Sequence, residues 1–199
     1  GDETTNSRKI ALAYSSDGKA WTQYNGSPVN GNTNPVILSG TDSQGQTWET
    51  DGTYSKTSCP TLFYEDGIFY LYYVEEASGN NNGYSGFATF TWNNATNSIE
   101  NMQRYAGNPT ITKRGGHINL SKNPNNGLYY MHQVVGNRLE VMTSSNRISW
   151  TDLGAVLQPG ATGEWDGSSI YRSCPVVNDA GSIVSFGSNT RIFYSAYGS

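Results

Sequence analysis

Charge is scarce in this chain: Asp, Glu, Lys and Arg make up 14% of the 199 residues, with 16 acidic side chains against 12 basic. Neutralising nucleic-acid phosphates takes clustered Lys and Arg, so the sparse, acid-leaning charge argues against a nucleic-acid partner. Long apolar runs are missing as well; none approaches the ~20 residues of a membrane span, and no membrane partner is expected. The Glu, Lys, Ala and Leu that sustain long helices are few. There is no phosphate loop, no Gly-x-Ser-x-Gly elbow, no His-Glu-x-x-His and no EF-hand loop, so no cofactor is expected. Only two cysteines occur, Cys59 and Cys174, enough for one disulfide at most. The sequence starts at Gly1 without a signal-type segment, which is read as a leader removed or never present.

What the chain has instead is 14 tyrosines, an aromatic fraction of 13%, and abundant Asn, Ser, Thr and Gly. Tyr, Val, Ile and Thr suit half-buried strands, and Gly, Asn and Asp suit the turns between them. The expected class is all-β, in a single domain long enough to bury a core. Three glycosylation-type triplets start at Asn25, Asn94 and Asn119. Together with the low charge they point to a secreted, extracellular protein.

Three signals recur along the chain. Ser-Ser, four residues and Trp-Thr close the segments ending at Trp21-Thr22 and Trp150-Thr151. Asp-Gly, six residues and Cys-Pro run from Asp51 to Pro60 and from Asp166 to Pro175. Aromatic strands follow turns in DGIFYLYYV (66–74), NGLYYMHQVV (126–135) and TRIFYSAY (190–197). Internal repetition of this kind marks blade or array architectures. The units fall at about 50–112, 113–158 and 159–199, the last closed by 1–49, which predicts a β-propeller of about three blades. The C-terminal RIFYSAYGS written before the N-terminal segment reproduces the order of a complete unit, so the two chain ends are expected to share one blade. Such closure leaves no open sheet edge. So small a ring also leaves assembly into a homo-oligomer open.

This grammar resembles the glycosidase propellers of the arabinanase–xylosidase and invertase–levanase type. The matching stretches are Trp165-Asp166-Gly167, Cys59-Pro60-Thr61-Leu62, Asp66 to Tyr73, and Ala13 to Trp21. The resemblance implies a propeller fold and a carbohydrate substrate. It does not carry over the catalytic trio: Ser58-Cys59-Pro60 and Ser173-Cys174-Pro175 stand where an Arg-Asp-Pro acid is common, and no Glu-Gly-Pro segment is present.

The candidate chemistry follows the repeat. Asp51 and Asp166, each eight residues before an inner-strand cysteine, are the expected acid and base or nucleophile of a glycoside hydrolase. Each could equally cap its own Asp-Gly turn. Trp48 and Trp165 neighbour these loops as sugar-stacking candidates, whereas Trp21 and Trp150 are expected to pack between strands. Arg114, His117, Arg172 and Lys56 lie near inner-strand starts, where they would make a cationic mouth for a uronate or sialate carboxylate. Glu75, Glu76 and Glu164 are further acids, and His132 occupies an equivalent aromatic strand. Cys59, His117 and Cys174 share one register, read as a disulfide, plain packing or a metal site. Metal ligands usually come as closely spaced pairs, which are absent, so no metal is expected. The leading function is a glycoside hydrolase-like protein holding a polysaccharide or oligosaccharide in an axial pocket. The alternative is a lectin that binds without cutting.

Overall fold

The computed structural model describes residues 7–26, 34–37, 44–49, 55–75 and 83–198. Among them the protein is all-β, with one 3-10 turn at Thr47–Glu49. Three short strands come first: β1 (Ser7–Arg8), β2 (Ala13–Tyr14) and β3 (Thr22–Gln23). Two antiparallel meanders follow. The first is β4 (Ser55–Glu65), β5 (Ile68–Glu75), β6 (Gly83–Asn93) and β7 (Ser98–Arg104). The second is β8 (Ile111–Lys122), β9 (Tyr129–Val135), β10 (Arg138–Ser144) and β11 (Thr151–Leu157). A short pairing of β6 with β8, Gly83 opposite Gly115 and Ser85 opposite Ile111, joins the two. The chain ends with β12 (Ser169–Pro175), the small β13 (Ser185–Phe186) and β14 (Asn189–Thr190), and β15 (Ile192–Tyr197).

Local chemistry accounts for these elements. Asp66 and Gly67, with φ of 52° and 83°, make the tight turn that folds β5 back on β4. β5 reads Ile-Phe-Tyr-Leu-Tyr-Tyr-Val without polar alternation because both of its faces are covered. Tyr72 and Val74 face the second meander, packing with Phe87, Ile118, Leu120, Met131 and Met142. Leu71 and Tyr73, on the opposite face, pack with Ala88 and Phe90 and with Ile10, Tyr24, Val36 and Ile37. The first meander is therefore the middle of a stack.

The Ser-Ser turns of the sequence adopt one geometry. Ser15 Oγ accepts from the backbone N–H of Asp17 and Gly18, and Asp17 Oδ1 accepts from those of Lys19 and Ala20. Ser144 and Asn146 repeat this with Asn146, Arg147, Ile148 and Ser149. The tryptophans that follow differ. Trp150 packs edge-on against Tyr72 at 6.2 Å. Trp21 is 64% exposed and only donates its Nε1–H to Gly18 O, which corrects the expectation that it packs between strands.

At the chain ends, β15 is hydrogen-bonded to β12. Ile10 bridges to Ile37, β2 pairs with β3, and β1 lies parallel to β4. Among the described residues, then, the N-terminal strands lie on the first meander and not beside β15. β12 packs on the second meander, where fully buried Ile170 donates its N–H to Asn137 O at 2.9 Å.

Candidate functional site

Three strands, β4, β8 and β12, border one cleft of about 590 Å³. It is lined by Ser58, Cys59 and Pro60 from β4, His117, Ile118 and Asn119 from β8, and Tyr171, Arg172 and Ser173 from β12, with Arg8 at its side. Each strand is bulged at this point. The register slips between Ser58 and Thr61 in β4, between Gly116 and Asn119 in β8, and between Ile170 and Arg172 in β12. Cys59 and His117 take left-handed φ values of 48° and 49° at the first two slips. Non-glycine residues seldom adopt this conformation, and a bulge re-aims the side chain it carries. As a result Cys59 Sγ lies 3.7 Å from His117 Nδ1.

His117 is braced on its other side by Tyr171, edge to face at 4.7 Å, and the Arg172 guanidinium sits 5.0 Å above the Tyr171 ring. Asn119 donates its Nδ2–H to Ser173 O at 2.6 Å and ties β8 to β12 at the cleft wall. This half-buried amide is committed inside the fold, so the triplet at Asn119 is not presented as a glycan acceptor. Asn25 and Asn94 are exposed.

Of the candidates named from the sequence, His117 and Arg172 line this cleft, as does Cys59. The other described candidates do not line it. Cys174 is a free thiol, as is Cys59. It lines a neighbouring cavity of about 340 Å³ with Thr61, Leu62 and Asn119. The strict Cys-Pro match thus put the third strand out of step: Tyr171 to Ser173 occupy the place expected of Cys174. No group of three or more metal-ligating side chains is found among the described residues.

Trp48 stacks on Tyr73 at 5.4 Å and gives its Nε1–H to Gln46 Oε1, a packing position in the first meander. Arg114 is exposed on β8 with its guanidinium 4.9 Å over the Tyr84 ring. Glu75 is buried at the end of β5, opposite Thr57. Asp166 is buried and accepts the Tyr194 O–H at 2.9 Å. Its neighbour Trp165 is 65% exposed and stacks on the same Tyr194 ring at 5.5 Å. None of these five lines the cleft. Asp51 and Glu76 fall outside the described residues. Arg8, Asn119 and Tyr171 were missed, because only the bulges and the packing of separate strands bring them to the cleft.

No family model matches the chain, and no curated protein matches it in sequence. Solved structures do. The chain is similar to BT0996 in an RGII complex, with a TM-score of 0.54, 15% identity, and coverage of 85% of this chain and 50% of that one. It also matches Zg3597, a family 117 glycoside hydrolase produced by the marine bacterium Zobellia galactanivorans, with a TM-score of 0.46, 13% identity, and coverage of 94% and 50%. The first likeness is one of fold. The chain spans about half the length of either structure.

Proposed function

We propose that this protein is a carbohydrate-active, glycoside hydrolase-like domain that holds an anionic glycan in the cleft between β4, β8 and β12. One observation carries the reading: the cleft is lined by Arg8, Arg172, His117, Asn119 and Tyr171, and among the described residues no carboxylate lines it. Guanidinium groups recognise a sugar carboxylate through paired charge-assisted hydrogen bonds. The Tyr171 ring offers an apolar face, and Asn119 a polar edge. The blade-like stacking of the meanders and the likeness to the BT0996 structure support a glycosidase-type propeller scaffold, and a secreted location suits that reading.

The same lining favours binding over cleavage for the residues in hand. Glycoside hydrolysis ordinarily needs two carboxyl groups flanking the scissile bond. Asp166 is tied to Tyr194 outside the cleft lining. A hydrolase on this scaffold would need an acid outside the described residues, such as Asp51 or Glu76.

Titration calorimetry with acidic oligosaccharides (oligouronides) and neutral oligosaccharides of matched length tests the proposal. Preference for the acidic series, weakened about tenfold by Arg172→Ala, is expected from the loss of one charge-assisted contact. Equal or absent binding of both series would refute it. Reducing-end release assayed in parallel, with Asp51→Asn and Asp166→Asn, separates hydrolase from lectin.

A further inference from the structure

We propose that Cys59 and His117 form a nucleophile–base pair, giving the cleft a reactive thiol for a small anionic electrophile. Such a pair would act whether or not the cleft holds a glycan. The two side chains come from different strands and meet only because each sits on a bulge of its own strand, at φ values of 48° and 49°. Sulfur and Nδ1 are 3.7 Å apart, within reach of an S–H to nitrogen hydrogen bond. Ser58 Oγ lies 3.5 Å from the same sulfur and donates to it. The Tyr171 edge contact fixes the imidazole plane. A thiol beside a base oriented by a third group is the general arrangement of an activated nucleophile.

The rest of the cleft defines the partner. Arg8 and Arg172 line it together with Cys59, so a reagent carrying a carboxylate close to its electrophilic carbon is drawn to the sulfur. With the imidazole hydrogen on Nε2, Nδ1 accepts the thiol proton as sulfur attacks carbon. The sulfur–carbon bond forms, the bond from carbon to the leaving group breaks, and its electron pair departs with that group. No oxidant or metal takes part in this step.

Cys174 is the internal control, since it is a free thiol, more exposed than Cys59, and lines a different cavity. The native protein is treated with limiting iodoacetate or iodoacetamide at neutral pH, and alkylation of each cysteine is followed by peptide mass spectrometry. The expected result is that iodoacetate modifies Cys59 faster than Cys174 despite the exposure difference. The iodoacetate-to-iodoacetamide rate ratio should also be higher at Cys59. His117→Gln should slow Cys59 about tenfold or more, as loss of a positioned base does, with Cys174 unchanged. Arg172→Gln should lower the rate ratio at Cys59. Faster reaction of Cys174 with both reagents in the native protein overturns the proposal without any variant. So does an unaltered Cys59 rate in folded His117→Gln.

Discussion

Arg104 donates its Nε–H to Glu49 Oε1 across 2.7 Å, and both side chains are out of water. Tyr73 adds its O–H to the same oxygen at 2.6 Å. The pair pins the 3-10 turn at Thr47–Glu49 to the end of β7. Burial and the adjoining Glu49 charge push the Tyr73 hydroxyl well above its ordinary pKa. Removing one member of a buried ion pair leaves an uncompensated charge, so Arg104→Met should cost about 3–5 kcal/mol. The double replacement Glu49→Leu/Arg104→Met should recover most of that loss. Urea unfolding midpoints of the single and double variants test this.

His132 carries a pH dependence. Burial lowers its pKa from 6.5 to about 4, so the folded protein keeps it neutral while the unfolded chain protonates it. Stability from this residue is fully present above pH 6.5 and is lost as pH falls towards 4, by about 2–4 kcal/mol. Urea titrations across this window should show the decline in the native protein and a flatter profile in His132→Leu.

Glu65 acts at lower pH. Burial works to raise its pKa, but hydrogen bonds from Lys122 and Tyr129 and the charge of Arg147 outweigh it and hold it below the ordinary 4.5. Its contribution is present above pH 4.5 and disappears as pH falls through the lower folded value. Glu65 joins β4 to β8 and β9 through Lys122 at 2.5 Å and Tyr129 at 2.5 Å, and to the Ser-Ser turn through Arg147. Glu65→Gln should cost about 2 kcal/mol at neutral pH, and the cost should shrink as pH falls from 4.5 through the lowered folded value, as measured by unfolding across that range.

Gly86 is required by close approach. A Cβ there would lie 2.6 Å from the Trp48 ring and 2.7 Å from the Asn108 side chain. Asn108 bonds both the N–H and the C=O of Phe87, so it cannot move aside freely. Gly86→Ala should destabilise by about 1–3 kcal/mol through overpacking, seen as a lower thermal midpoint.

Asp166 and Tyr194 separate an anchoring role from a catalytic one. If the pair holds the loop before β12, Asp166→Asn and Tyr194→Phe should each cost about 1 kcal/mol. Glycan binding in the cleft should be unchanged. A loss of reducing-end release in Asp166→Asn, with binding intact, would instead assign the carboxylate to hydrolysis.

Much of the local structure was legible in the sequence. Aromatic runs after Asn-Gly or Asp-Gly turns became β5 and β9, RIFYSAY became β15, and the Ser-Ser segments became matching turns. Strand alternation, turn chemistry and side-chain-to-backbone bonds act over a few residues, so composition and spacing determine them. The cleft was not legible to that degree. It depends on where three strands, far apart in sequence, each slip register, and a slip of one residue turns every later side chain to the other face. Identical Cys-Pro pairs therefore ended in different cavities, Cys59 beside His117 and Cys174 beside Leu62. Tyr171, part of no motif, reached the cleft through its own bulge. The sequence by itself determined strands and turns, because these are local. Only the tertiary structure decided which side chains share a cleft, because that follows from bulges and packing between strands far apart in the sequence.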